Sequence, residues 1–127
     1  MILFARIAAG LVALFGILMG VRFLADPLKL GAEFFLSPNG VAGLAVLRAD
    51  MTAFFLVSGI MAALAAWKRE PKYLVAPALL YGIAITGRAI SLALDGKADG
   101  AFVPMTVEAV LVLLCVFAYR TFSTSKG

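Results

Sequence analysis

The sequence predicts an all-α membrane protein, an antiparallel bundle of four transmembrane helices, from its composition and from four long apolar runs. Of 127 residues, 64% are hydrophobic and 14% charged, against roughly 45–50% and about 25% in a soluble domain. A water-soluble fold of this length would leave much of that apolar surface facing water, whereas a bilayer accepts it. Runs at about 2–25, 44–67, 73–94 and 101–120 each supply the ~20 apolar residues that a spanning helix needs. Together they make one integral membrane domain, 1–127.

Each element has its own signal. The first run is longer than the apolar stretch of a secretory leader and lacks a clear small-residue cleavage site, so it reads as a retained span. Gly16 and Gly20 within it, and Gly59, Ala62, Ala63 and Ala66 in the second run, are small residues of the kind that let helices pack closely. The connection from Asp26 to Gly43 opens with Asp26-Pro27, a cap followed by Pro in the first helical turn. A short interfacial helix fits there, using Leu28, Leu30, Phe34, Phe35 and Leu36, before Ser37-Pro38-Asn39-Gly40 turns the chain. Lys68 to Lys72 and Asp95 to Gly100, the latter including Ala98, are short connections that make neighbouring helices antiparallel. Gly82 and Gly87 suggest a close helix approach or a kink in span three.

Charge sets the orientation. The face bearing the termini carries Arg6, Lys68, Arg69, Lys72, Arg120 and Lys126 against Glu70, while the opposite loops carry Lys29 and Lys97 against Asp26, Glu33, Asp95 and Asp99. The positive-inside rule places both termini in the cytoplasm, with Trp67, Tyr73 and Tyr119 as belt aromatics at that face.

Five charges remain inside the spans: Arg22, Arg48, Asp50, Arg88 and Glu108. Arg88 lies seven residues before Asp95 and Glu108 eight after Gly100, so at 1.5 Å per residue both are roughly 10–12 Å from the same turn and can meet. Arg88 shares a helical face with Tyr81, Ala84 and Ser91, and Glu108 shares one with Pro104 and Cys115. Arg48 and Asp50 point about 200° apart, and Asp50 is expected to meet Arg88 or Arg22. Charges in a bilayer cost on the order of 2.5–3.5 kcal/mol each on insertion scales, so they face the interior. Three cations against two carboxylates leave one Arg for an anionic group. Ion pairing that only fixes helix register is the competing account, and Arg22 and Arg48 are shallow enough to snorkel.

Counting removes whole chemistries. With no His and Cys115 as the single Cys, a zinc site, a thiol pair, an intrachain disulfide and a haem His ligand are all excluded within one chain, and no cofactor, metal or catalytic residue is implied. Nucleic-acid binding has no support, since the basic residues gather at one membrane face. The leading expectation is a membrane protein that binds a lipid-like or otherwise amphiphilic anionic or carbonyl-bearing ligand through Arg48, Asp50, Arg88, Glu108, Arg22, Tyr81 and Ser91. Membrane lipids are the immediate partners. A scaffold or accessory subunit, as a homo-oligomer or with a membrane-protein partner, is the second reading. A proton-coupled carrier or enzyme using Asp50 or Glu108 is the third.

Leu47-Arg48-Ala49-Asp50 with its apolar continuation, and Gly87-Arg88 in span three, resemble a four-span bacterial inner-membrane family, the domain of unknown function 4345. The resemblance covers most of the chain and implies a four-helix bundle in the bacterial inner (plasma) membrane, with no activity attached. In size and topology the chain is also broadly similar to DoxX-like proteins. Glutathione-using membrane enzymes of similar length carry an Arg and Asn pattern in their second span that Arg48-Ala-Asp-Met-Thr does not meet.

Overall fold

The computed structural model describes residues 1–97 and 99–126; Ala98 of the loop before span four and the Lys126 side chain lie outside the described residues. Helices are α1 (Ile2–Ala25), α2 (Pro27–Glu33), α3 (Gly40–Val46), α4 (Thr52–Lys68), α5 (Val75–Asp95) and α6 (Phe102–Lys126). A π-helical turn, Leu47–Met51, joins α3 to α4, and a 3₁₀ turn, Pro71–Leu74, leads into α5. Four continuous helical stretches are long and apolar enough to cross a membrane: Ile2–Ala25, Gly40–Lys68, Pro71–Asp95 and Phe102–Ser125.

These stretches form the four-helix bundle, in the ring order α1, α4, α5, α6, with α1 and α4 sharing the most extensive contact. Two boundaries differ from expectation. Span two starts at Gly40 rather than 44, and its first turns, α3, bury no side chain and extend past the bundle. Span four continues beyond 120 because Phe122 is fully buried and holds the last turns against the bundle after the apolar run has ended.

The expected cap before the short helix is present: Asp26 accepts from the Lys29 N–H at 3.3 Å, Pro27 occupies the first turn, and Leu30 is buried. That helix stops at Glu33, so Phe34, Phe35 and Leu36 do not extend it. The Phe35 N–H bonds to the Ala32 carbonyl at 3.0 Å and the Leu36 N–H to the Gly31 carbonyl at 2.8 Å. This is a Schellman closure, and it places Phe35 in the left-handed region at φ 61°. A non-glycine residue there costs roughly 1–2 kcal/mol.

Small residues govern the α1–α4 crossing. A Cβ on Gly16 would sit 2.7 Å from both the Gly59 nitrogen and the Phe55 carbonyl oxygen, and one on Gly59 would sit 2.6 Å from the Ile17 nitrogen. Backbone therefore packs on backbone, the arrangement small residues permit in membranes. Gly82 and Gly87 do not serve a close helix approach, because a Cβ at either meets nothing within 4 Å. The two antiparallel helices also clasp each other's ends. Arg6 of α1 donates Nε to the Ala66 carbonyl in the last turn of α4 at 3.0 Å. Arg48, just before α4, donates Nε to the Leu24 carbonyl in the last turn of α1 at 3.1 Å. Each guanidinium thus satisfies a carbonyl at the negative end of its neighbour's dipole.

Gly16→Ala and Gly59→Ala are expected to lose about 1–3 kcal/mol by forcing the helices apart, whereas Gly82→Ala stays within about 0.5 kcal/mol of the parent. Reversible unfolding of the purified protein in mixed micelles, compared across the three variants, measures this.

Candidate functional site

Between the four long helices, in the half of the bundle remote from the termini, lies a cavity of about 550 Å³. Its wall is aromatic. Phe15 from α1, Phe34 from the end of α2, Phe54 and Phe55 from α4 and Tyr81 from α5 all line it. Their rings meet edge to face, Phe15 with Phe55 at 5.9 Å, Phe54 with Tyr81 at 5.6 Å and Phe34 with Phe55 at 6.0 Å between centroids. Phe23 stacks behind Phe55 at 5.7 Å. Such contacts add about 0.5–1.5 kcal/mol each beyond area burial and hold the wall in one shape.

The polar end is built by α5 and α6. Arg88 donates its Nε to both carboxylate oxygens of Glu108, each at 3.0 Å. The Glu108 side chain is 11% exposed and that of Arg88 39%. Because one nitrogen carries the whole pairing, neither terminal nitrogen of Arg88 donates to an acceptor among the described residues. A second cavity of about 430 Å³ adjoins the first, and Arg88, Phe35, Gly100 and Pro104 line both. A Cβ on Gly100 would lie 3.3 Å from the Phe35 ring, so the strained residue 35 touches the α5–α6 loop beside the two cavities that it lines with Arg88. Strain of this kind is held where the surroundings over-determine it.

Deeper in, the Ser58 hydroxyl donates to the Phe55 carbonyl at 2.8 Å and lies 2.7 Å from the Tyr81 hydroxyl. With the Ser58 proton committed to the backbone, the Tyr81 hydroxyl is the donor between the two, which leaves its oxygen able to accept. Both side chains are buried, and the pair lets a tyrosine line an apolar wall without an orphaned proton.

The seven residues marked by the sequence fall into separate places. Arg88, Glu108 and Tyr81 come together in the main cavity. Ser91 lines the adjoining cavity with Arg88 and donates to Asp95 at 2.9 Å. Arg22 pairs with Glu33 at 3.1 Å, and it is Glu33 rather than Arg22 that lines the cavity. Arg48 lines neither cavity, since its Nε caps α1. The expected meeting of Asp50 with Arg88 or Arg22 does not occur. Asp50 is exposed on the π turn and makes no hydrogen bond or ion pair among the described residues. The extra residue per turn of a π segment rotates the helix locally, which a regular 3.6-residue periodicity does not anticipate.

The family model for the domain of unknown function DUF4345 matches residues 4–119. The chain belongs to that family. The match takes in most of all four apolar stretches and every residue that lines the two cavities, so this site is part of the DUF4345 domain itself. No curated protein and no solved structure matches the chain.

The Arg88–Glu108 pair is expected to show a favourable coupling of about 1 kcal/mol, in the range of polar pairs between membrane helices. In a double-mutant cycle of Arg88→Met and Glu108→Leu, the double variant loses less stability than the two single losses combined, because neither charge is then left alone. Strict additivity of the three unfolding free energies would exclude the coupling.

Proposed function

We propose that this protein is an amphiphile-binding membrane protein, holding the apolar part of its ligand against Phe15, Phe34, Phe54 and Phe55 and the polar head at Arg88. The observation that carries this reading is the Arg88 guanidinium: braced by Glu108 through Nε alone, it keeps its two terminal nitrogens for a ligand at the edge of an aromatic cavity. A side chain serving only to lock two helices would be expected to spend its whole fork on the carboxylate, as bidentate pairs do. A mainly apolar cavity with a few converging polar groups is also the usual form of a small-molecule site. Membrane lipids or lipid-soluble molecules are the ligand class within reach of helices embedded in a bilayer.

The charge bias supports an orientation with both termini cytoplasmic, in the bacterial inner membrane that the family resemblance implies, which would put the cavity in the outer half of the bilayer. A fluorescent reporter that matures only in the cytoplasm is expected to be bright when fused after residue 127 and dark when fused into the loop at 96–100.

Mass spectrometry of protein extracted under gentle conditions is expected to find an amphiphile that stays with the wild type and with Asp50→Asn and is lost from Arg88→Met. Equal retention in Arg88→Met would overturn the reading and favour the helix-lock role, with a scaffold or accessory subunit as the function. Asp50→Asn is the control because Asp50 lines neither cavity.

A further inference from the structure

Resting on the amphiphile reading, we infer that the head accepted at Arg88 is a neutral hydrogen-bond acceptor, a carbonyl on an apolar chain, and not a carboxylate or phosphate. The charges around the two cavities carry this. Arg88 is the one cation lining either of them among the described residues, while Glu33, Glu108 and Asp99 also line them. Arg22 compensates Glu33 from outside at 3.1 Å, and Glu108 already balances Arg88 at 3.0 Å. The positive surplus expected from the sequence is absent here because Arg48 is spent on the α1 carboxyl end.

An anionic head entering this site would add a second negative charge to an arginine that Glu108 already neutralises, with Asp99 on the wall of the adjoining cavity. Burying an uncompensated charge is strongly unfavourable. A cationic head meets the opposite obstacle, the guanidinium itself. A carbonyl oxygen adds no charge and can accept from the terminal nitrogens of Arg88, which have no acceptor among the described residues.

The test is a titration of the protein in nanodiscs of neutral lipid, with protein-free nanodiscs as the partition reference and three probes sharing a ten-carbon chain: decan-2-one, decanoate and decylamine. Decan-2-one is expected to bind saturably and about tenfold more tightly than decanoate, and to lose that binding in Arg88→Met. Glu108→Gln, which removes the balancing carboxylate, is expected to reverse the order in favour of decanoate. The wild-type order alone decides the inference if that variant does not fold. Tighter wild-type binding of decanoate or decylamine, or ketone binding that survives Arg88→Met, overturns the neutral-head inference and leaves an amphiphile site standing. Absence of saturable binding by all three probes overturns the amphiphile reading as well.

Discussion

The crossing of α1 and α4 at Gly16 and Gly59 is the contact on which the rest of the site depends. Backbone touches backbone there, with no room for a Cβ on either side. The residues flanking that crossing, Phe15 beside one glycine and Phe55 one turn before the other, are thereby brought ring to ring at 5.9 Å. Phe34, Phe54 and Tyr81 then add to an aromatic surface already in place. The two reciprocal arginine clasps, Arg6 on Ala66 and Arg48 on Leu24, hold the ends of the same helix pair. Close packing at the middle and capping at both ends give one half of the bundle a fixed shape, against which α5 and α6 present their polar pair.

What the sequence made legible followed from rules that act along a single helix. Hydropathy located four spans, and equal depth from a shared turn brought Arg88 and Glu108 together, as the structure does at 3.0 Å. The Asp26-Pro27 cap was readable for the same reason, since its geometry is local. Three features needed the third dimension. The short helix that carries Glu33 was legible, but not that α2 packs against α1 and delivers Glu33 to Arg22. Arg48 finds its partner in a backbone carbonyl 24 residues away, which no side-chain pattern announces. The π turn shifts the register of Arg48 and Asp50, and an insertion of that kind has no marker in hydropathy. Phe54 and Phe55 stood in plain view, yet a phenylalanine in a membrane span reads equally well as lipid-facing, and only the neighbouring helices distinguish the two.

The electrostatic picture changes accordingly. Counted along the chain, the buried charges favour cations by one, but partners in space redistribute them: one arginine serves a helix end, one serves a carboxylate from α2, and one remains at the cavity. Net charge over a segment is therefore a poor guide to the charge of a site when backbone carbonyls compete for guanidinium groups.

The attachment of Arg88 through a single nitrogen has one more consequence. A guanidinium is a rigid planar fork whose nitrogens face different directions, so it can divide its labour: Nε is the brace on Glu108, and in the proposed function the terminal nitrogens are the hand. A lysine at this position has one ammonium and would have to choose between them. Held to Glu108 it would have nothing directed and rigid to offer, and extended into the cavity it would abandon the carboxylate. The position thus calls for arginine on geometric grounds that positive charge alone does not supply.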